Sequence, residues 1–223
     1  MFGALGDIHG DFASVRRIME RRPDVPFWLC VGDLADASGQ YEAVPAPLYW
    51  IKGNNENFDR IESGDLPRGL HYIPNGSALT IGPLTVAGLG GTFAPTMYEL
   101  APGDLPHPKK GTPKATELAD RRRHFVRAEV EACKAMVGVD VLLTHEAPRP
   151  FRLTPAGGRP GNDAGKTPIN EVLGAMQPRL HLFGHHHRFA EQDGAGVRSV
   201  CLDLVSRSHL IVDVRTLKYD VVF

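Results

Sequence analysis

Cysteine is scarce: Cys30, Cys133 and Cys201 are the three in 223 residues, and no two share a paired spacing. A disulfide framework is thereby excluded, and free thiols in a reducing, cytoplasmic setting are expected. Net charge is equally small, 25 basic against 26 acidic residues giving −1. No whole-molecule field draws the chain to nucleic acid or anionic lipid, so any polyanion must be gripped locally. No run of 18 apolar residues occurs, which excludes a membrane-spanning helix from the expectation. The strand-like FGAL at residue 2 leaves no room for a signal peptide. Repeats, low-complexity tracts and composition shifts are missing too. What remains is a globular chain with 42% apolar and 23% charged residues, long enough for one core and read as a single domain over residues 1–223.

Apolar runs ending in glycine, aspartate or histidine recur along that chain. Residues 2–7, 26–33, 47–55, 139–145 and 180–185 read as short buried strands whose carboxyl ends form one rim. Between them, residues 11–22 and 115–136 carry helical spacing, with Phe12, Val15, Ile18 and Met19 on one face. The later runs SALTI, LTVAGL, SVCLDLV, HLIVDV and KYDVVF predict antiparallel strands in a second sheet packed on the first. Residues 92–113 and 146–167, rich in Pro, Gly and Lys, are expected to wall a cleft.

Chemistry concentrates at the strand ends, which spell GDIHG (6–10), GD (32–33), GNNE (53–56), TH (144–145) and GHHH (184–187). Asp7 and His9 on a strand-to-helix turn can aim at one ion, because the turn breaks strict alternation. Asp33 has two oxygens and can bridge two cations, and an extended backbone puts His185 and His187 on one face. Singly, each piece is equally a helix cap, a turn or a solvated rim. Five of them at the same ends of successive strands point to one shared metal site.

The order D-x-H, G-D, G-N-x-E, H, G-H-x-H over residues 6–187 resembles the calcineurin-like metallophosphoesterase superfamily. That resemblance implies an αββα sandwich of four layers, two mixed β-sheets flanked by helices, with two divalent ions at the strand ends. It further implies that Asp7, His9, Asp33 and His187 hold one ion while Asp33, Asn54, His145 and His185 hold the other. Manganese or iron ranks first, and zinc, cobalt or nickel also suits such donors. The implied activity is hydrolysis of a phosphodiester by a hydroxide held between the ions. Phosphomonoesterase or dinucleoside-polyphosphate hydrolase activity, as in the protein phosphatases of the superfamily, is the alternative, and a scaffold without catalysis the third reading. The substrate would be a phosphoester, of nucleotide or nucleic-acid type, with no obligate protein partner or membrane.

Many superfamily members carry His where Asn55 stands, and an amide cannot serve as general acid. Asp33, Asn54, Asn55 and His186 are the residues expected to act in catalysis, with His186, His107 and Lys166 as substitutes for the absent acid. Glu56 is expected to orient a ligand by hydrogen bonding. A looser similarity, in residues 53–93 and 121–148, is to the RNA lariat debranching enzymes, which usually have Cys at the position of Asp7 and His at that of Asn55. Lys109, Lys110, Lys114, Arg121, Arg122, Arg123 and Arg127 form a basic stretch that would track a phosphate backbone if it faced the cleft, and is otherwise a solvated face balanced by nearby acids. Neither Gly88, Gly90 and Gly91 nor Gly165-Lys166-Thr167 has the spacing of a phosphate-binding P-loop. Cys30 and Cys201 read as packing residues.

Overall fold

The apolar runs become short strands in a computed structural model, which describes residues 1–108, 119–153, 163–194 and 196–223. β1 (Phe2–Leu5), β2 (Trp28–Cys30), β3 (Leu48–Trp50) and β4 (Leu70–Tyr72) pair in parallel. β15 (His209–Val212) and β16 (Tyr219–Val222) extend this sheet antiparallel beyond β1. A second six-stranded sheet has the parallel strands β6 (Leu84–Leu89), β9 (Val141–Thr144), β12 (Leu180–Phe183) and β14 (Val197–Cys201) at its centre. Its edges are the antiparallel β5 (Ser77–Ile81) and β13 (Ala190–Gly194). Two short pairs lie outside: β7 (Thr92–Phe93) with β8 (His124–Phe125), and β10 (Phe151–Arg152) with β11 (Asp163–Ala164).

Alternation along the central strands sets the layers. Phe2 and Ala4 of β1 and Val141 and Leu143 of β9 meet in the core between the sheets. Leu5 turns outward onto α1 (Phe12–Arg21), and Leu142 outward onto α3 (Arg127–Lys134) and α4 (Thr167–Met176). Three apolar seams therefore separate four layers, the predicted αββα sandwich. A short α2 (Phe58–Ser63) sits beside the β3 end. Phe12, Val15, Ile18 and Met19 are buried as their spacing requires, and Asp11 caps α1 by accepting from the Ser14 N–H at 3.0 Å. Among the described residues no helix is long and apolar enough to cross a membrane.

Several expectations give way to long-range pairing. The later runs do not make one antiparallel sheet: β6 and β14 are parallel strands of the second sheet, while β15 and β16 belong to the first. The strands over 139–145 and 180–185 lie in the second sheet, so the rim is shared between sheets. Such strands are buried on both faces, and their sequence carries no mark of the neighbour they pair with. Among the described residues, the helix expected over 115–136 is confined to α3, because His124–Phe125 forms a strand and Arg121–Arg123 a 3-10 turn; residues 115–118 lie outside the described residues. Residues 109–118 and 154–162, parts of the two expected cleft walls, lie outside the described residues, and α4 arises where no helix was predicted.

A buried polar ladder crosses the second sheet. The Thr144 hydroxyl donates to the Glu146 carbonyl at 2.6 Å, so the His181 Nε2–H must donate to Thr144 Oγ1 at 2.8 Å. The Nδ1 atom is then the acceptor for the Ser199 hydroxyl at 2.9 Å. Burial pushes the His181 pKa down to about 3. Below pH 6.5 the unfolded chain takes up a proton that the native ring refuses, so stability from this group falls as pH drops towards 3. The slope is about 1.4 kcal/mol per pH unit. Urea unfolding of His181→Gln between pH 6 and pH 4 should show a slope shallower by about one proton; parallel slopes would contradict the neutral buried ring.

Candidate metal centre

Five strand ends converge at one edge of the sandwich. Beyond β1, the Ile8 and His9 N–H groups both donate to the Asp33 carbonyl, at 3.1 and 2.7 Å, which ties the first motif to the second. Asp33 follows β2, Asn54 follows β3, His145 follows β9, and His185 and His187 follow β12. The backbone turns abruptly at these points. His9, Asp33, His185 and His187 have φ of +47°, +53°, +70° and +49°, and among the described residues only Gln177 and Leu217 are further non-glycine cases. Left-handed backbone costs about 1–2 kcal/mol per residue, so it persists here because the surrounding bonds impose it. Two glycines make room for the carboxylates. A Cβ on Gly53 would lie 2.0 Å from Asp33 Oδ1, and one on Gly184 would lie 2.2 Å from Asp7 Oδ1.

Asp7, His9, Asp33 and His187 each bring one donor atom into a group whose members lie within 4.8 Å of one another. His187 Nε2 is 3.0 Å from Asp7 Oδ2 and 3.0 Å from His9 Nε2, and His9 Nε2 is 3.6 Å from Asp33 Oδ2. Asp7 and Asp33 are 0% and 1% exposed. The two imidazole nitrogens and the two buried carboxylates offer lone pairs that converge on one point. This donor set fits a divalent metal.

The adjoining set is built around His145. Its Nδ1–H donates to the Val31 carbonyl at 2.8 Å, which leaves Nε2 facing Asn54 Oδ1 at 3.1 Å and Asp33 Oδ1 at 3.6 Å. The His185 ring lies 5.0 Å from that of His145 between centroids. Asp33 thus presents one oxygen to each set. The protonation energetics follow. Burial opposes charge on Asp33, but His145 and the Asn55 hydrogen bonds outweigh it and hold the carboxyl below its usual range. Burial likewise pulls His145 down, and the carboxylates of Asp7 and Asp33 carry it above the usual histidine value. The Asp7 hydrogen bond raises His187, whereas burial and then His145 lower His185. A divalent ion would compete with these protons for the same lone pairs.

The remaining sequence candidates take other positions. Asn55 grips Asp33 twice, its N–H to Oδ1 at 2.8 Å and its amide to Oδ2 at 2.9 Å. Glu56 holds backbone rather than a donor side chain: it accepts from the N–H groups of Leu34, Ala35 and Gly53 and from the Tyr41 hydroxyl. Burial and the nearby Asp33 push its pKa up to about 8. His186 packs edge-on against Phe183 with Nε2 buried and unpartnered among the described residues. Burial, then His185, lowers its pKa to about 4. His107 Nδ1 bonds the Leu105 carbonyl at 2.9 Å, and Lys166 lines a separate cavity beside Tyr98 and Arg127.

Next to the donor cluster opens a cleft of about 600 Å³, lined among others by His9, Asp36, Asn54, Asn55, Phe58 and Arg123. Its described walls come from residues 35–39, 54–58 and 119–123, not from the described parts of 92–113 and 146–167. The expected basic track divides. Arg122 is buried against Asp59, Glu62 and Asp120, and Arg127 pairs with Glu99. Lys109, Lys110 and Lys114 lie outside the described residues. Arg123 and Arg127 share no helical face, since β8 separates them. Sequence reasoning missed Lys52, a buried ammonium that donates to the carbonyls of Arg122 and His124 at 2.7 and 3.1 Å. The available signal was a lone cation closing the apolar run PLYWIK.

Comparison with known proteins agrees with this geometry. A Schizosaccharomyces pombe protein named lariat debranching enzyme is 22% identical over 220 residues, covering 84% of this chain and 45% of that protein. The chain thus spans less than half of that relative's length. An archaeal phosphodiesterase of known structure superposes with a TM-score of 0.53 at 11% identity, over 99% of this chain and 98% of that one. Another solved chain reaches a TM-score of 0.69 at 9% identity, over 99% and 97%. These superpositions share the sandwich. The family model described as calcineurin-like phosphoesterase matches residues 1–189, a span that contains all five strand-end motifs, and the chain belongs to that family.

Proposed function

We propose that this protein is a binuclear metal-dependent phosphodiesterase. The convergence of Asp7, His9, Asp33 and His187 within 4.8 Å, with His145 and Asn54 on the far side of Asp33, carries the reading. Asp7, His9, Asp33 and His187 would hold one divalent ion, and Asp33, Asn54, His145 and His185 a second. Manganese or iron ranks first for these donors, and zinc, cobalt or nickel also suits them. When bound, such a pair supplies neutralisation of phosphoryl charge and an acidified water for attack on phosphorus.

The chain's own residues prepare that chemistry. Asn55 fixes both Asp33 oxygens, and the Val31 carbonyl fixes the His145 tautomer, so the donor atoms are oriented beforehand. Glu56 and Tyr41 bind the loops after β2 and β3 into one body. With an amide at position 55, no proton donor is supplied there, which favours substrates whose leaving group departs without one. The relative named for lariat debranching supports a diester over a monoester, of nucleotide or nucleic-acid type.

Asp33→Asn should lower manganese-dependent hydrolysis of bis(para-nitrophenyl) phosphate by about 100-fold or more, together with metal content by elemental analysis. Unchanged turnover and metal load would overturn the assignment. The wild-type protein should hydrolyse that diester with higher kcat/KM than para-nitrophenyl phosphate, and the reverse order would establish the monoesterase reading instead. Asn55→Ala should remain folded yet bind manganese about 10-fold more weakly by calorimetric titration, because Asp33 Oδ2 loses its side-chain donor while the backbone N–H of residue 55 stays on Oδ1; undiminished affinity would remove its positioning role.

A further inference from the structure

Arg123 occupies a conspicuous electrostatic position. The residues on either side are fixed to the protein body. Arg122 is buried against three carboxylates, and the nearest acid in the chain, Asp120, is fully engaged by the Arg122 guanidinium and N–H. His124 lies in β8, with Nδ1 3.0 Å from the Thr92 hydroxyl. Lys52 Nζ then clamps the carbonyls of both neighbours, 122 and 124. That lysine directly precedes Gly53 and Asn54, so one buried ammonium sets the distance between the metal-binding loop and the Arg123 turn. The Arg123 carbonyl also packs so closely on Gly91 that a Cβ there would approach it to 2.5 Å.

Between these anchors the Arg123 side chain has no ion-pair or hydrogen-bond partner among the described residues, and its Nε is buried from solvent. It lines the cleft that also exposes His9, Asn54 and Asn55. Leaving a buried guanidinium nitrogen unsatisfied is costly, and the planar fork of donors matches the oxygens of a phosphoryl group. We propose that Arg123 is the substrate-recognition residue of this cleft, donating to non-bridging phosphoryl oxygens of the bound ester. Lys52 is the positioning residue that presents it. The proposal rests on the phosphoesterase reading for its kinetic consequence, but not for its binding consequence. The oxyanion is either the scissile phosphate or a second phosphate of the same substrate, two sources with the same chemistry.

The test compares wild type, Arg123→Ala and Arg123→Lys, all loaded with manganese. Inorganic phosphate should bind Arg123→Ala about 10- to 100-fold more weakly by calorimetry, with thermal stability and metal content unchanged, and Arg123→Lys should recover part of the loss. With bis(para-nitrophenyl) phosphate, KM should rise by a similar factor while kcat changes little, if the scissile group is held. If only a dinucleotide with a terminal phosphate shows the KM effect, the flanking phosphate is the one held, and phosphate binding alone still reports the contact. Unaltered phosphate affinity together with unaltered KM for both substrates would overturn the proposal. Should the wild type hydrolyse neither ester, the hydrolase reading fails, and the calorimetric arm still decides the role of Arg123.

Discussion

Asp33 is the point on which the site is built. Its carboxylate is 1% exposed, and such burial is tolerable only with compensating charge and hydrogen bonds on both oxygens. Asn55 supplies two donors, while His9 and His145 approach one oxygen each at 3.6 Å. Its carbonyl receives the N–H groups of Ile8 and His9, and its left-handed backbone redirects the chain after β2. One residue thereby unites the loops after β1, β2 and β3 with a histidine from the opposite sheet. Two buried carboxylates and the imidazoles that face them there form a donor set suited to a divalent cation.

The architecture explains why that concentration survives folding. Parallel strands from both sheets end at the same edge, where their polar termini need not be buried in the apolar seams. The seams between the sheets and under α1, α3 and α4 contribute the stability, and strain of about 1–2 kcal/mol at each left-handed donor is imposed against that reserve. Glycines at positions 53 and 184 allow carboxylates to approach backbone at distances no side chain would permit. The same logic extends outward through Lys52 and Arg122, whose buried charges tie the second cleft wall to the loop after β3.

Much of this was legible beforehand because it is local. Short apolar runs identified the strands that bear the motifs, 3.6-residue spacing identified the buried face of α1, and the family resemblance carried by the strand-end motifs implied which donors share a site. Long-range pairing was not legible: HLIVDV and LTVAGL look alike as strands, yet β15 and β6 lie in different sheets. The arginine stretch illustrates a similar gap. Three similar residues, Arg122, Arg127 and Arg123, separate into a buried anchor, an exposed pair with Glu99 and a cleft-lining cation, because acids distant in sequence select among them. Asn55 looked like a vacancy for an acid, and its bidentate hold on Asp33 emerged only when the two loops were placed side by side.

The amino-acid sequence alone determined the donor chemistry, Asp, Asn and His following short apolar runs, and the order of those motifs carried the resemblance that implied the family and the four-layer fold. The donors and their strands are legible because side-chain type and local patterning extend over only a few residues. Tertiary structure decided which sheet each strand joined, which arginine remained open to the cleft, and which neighbours brace the donors. Those outcomes depend on contacts between residues far apart in the chain, such as His9 with His187 and Phe2 with Val212, where only the packed sandwich fixes the distance.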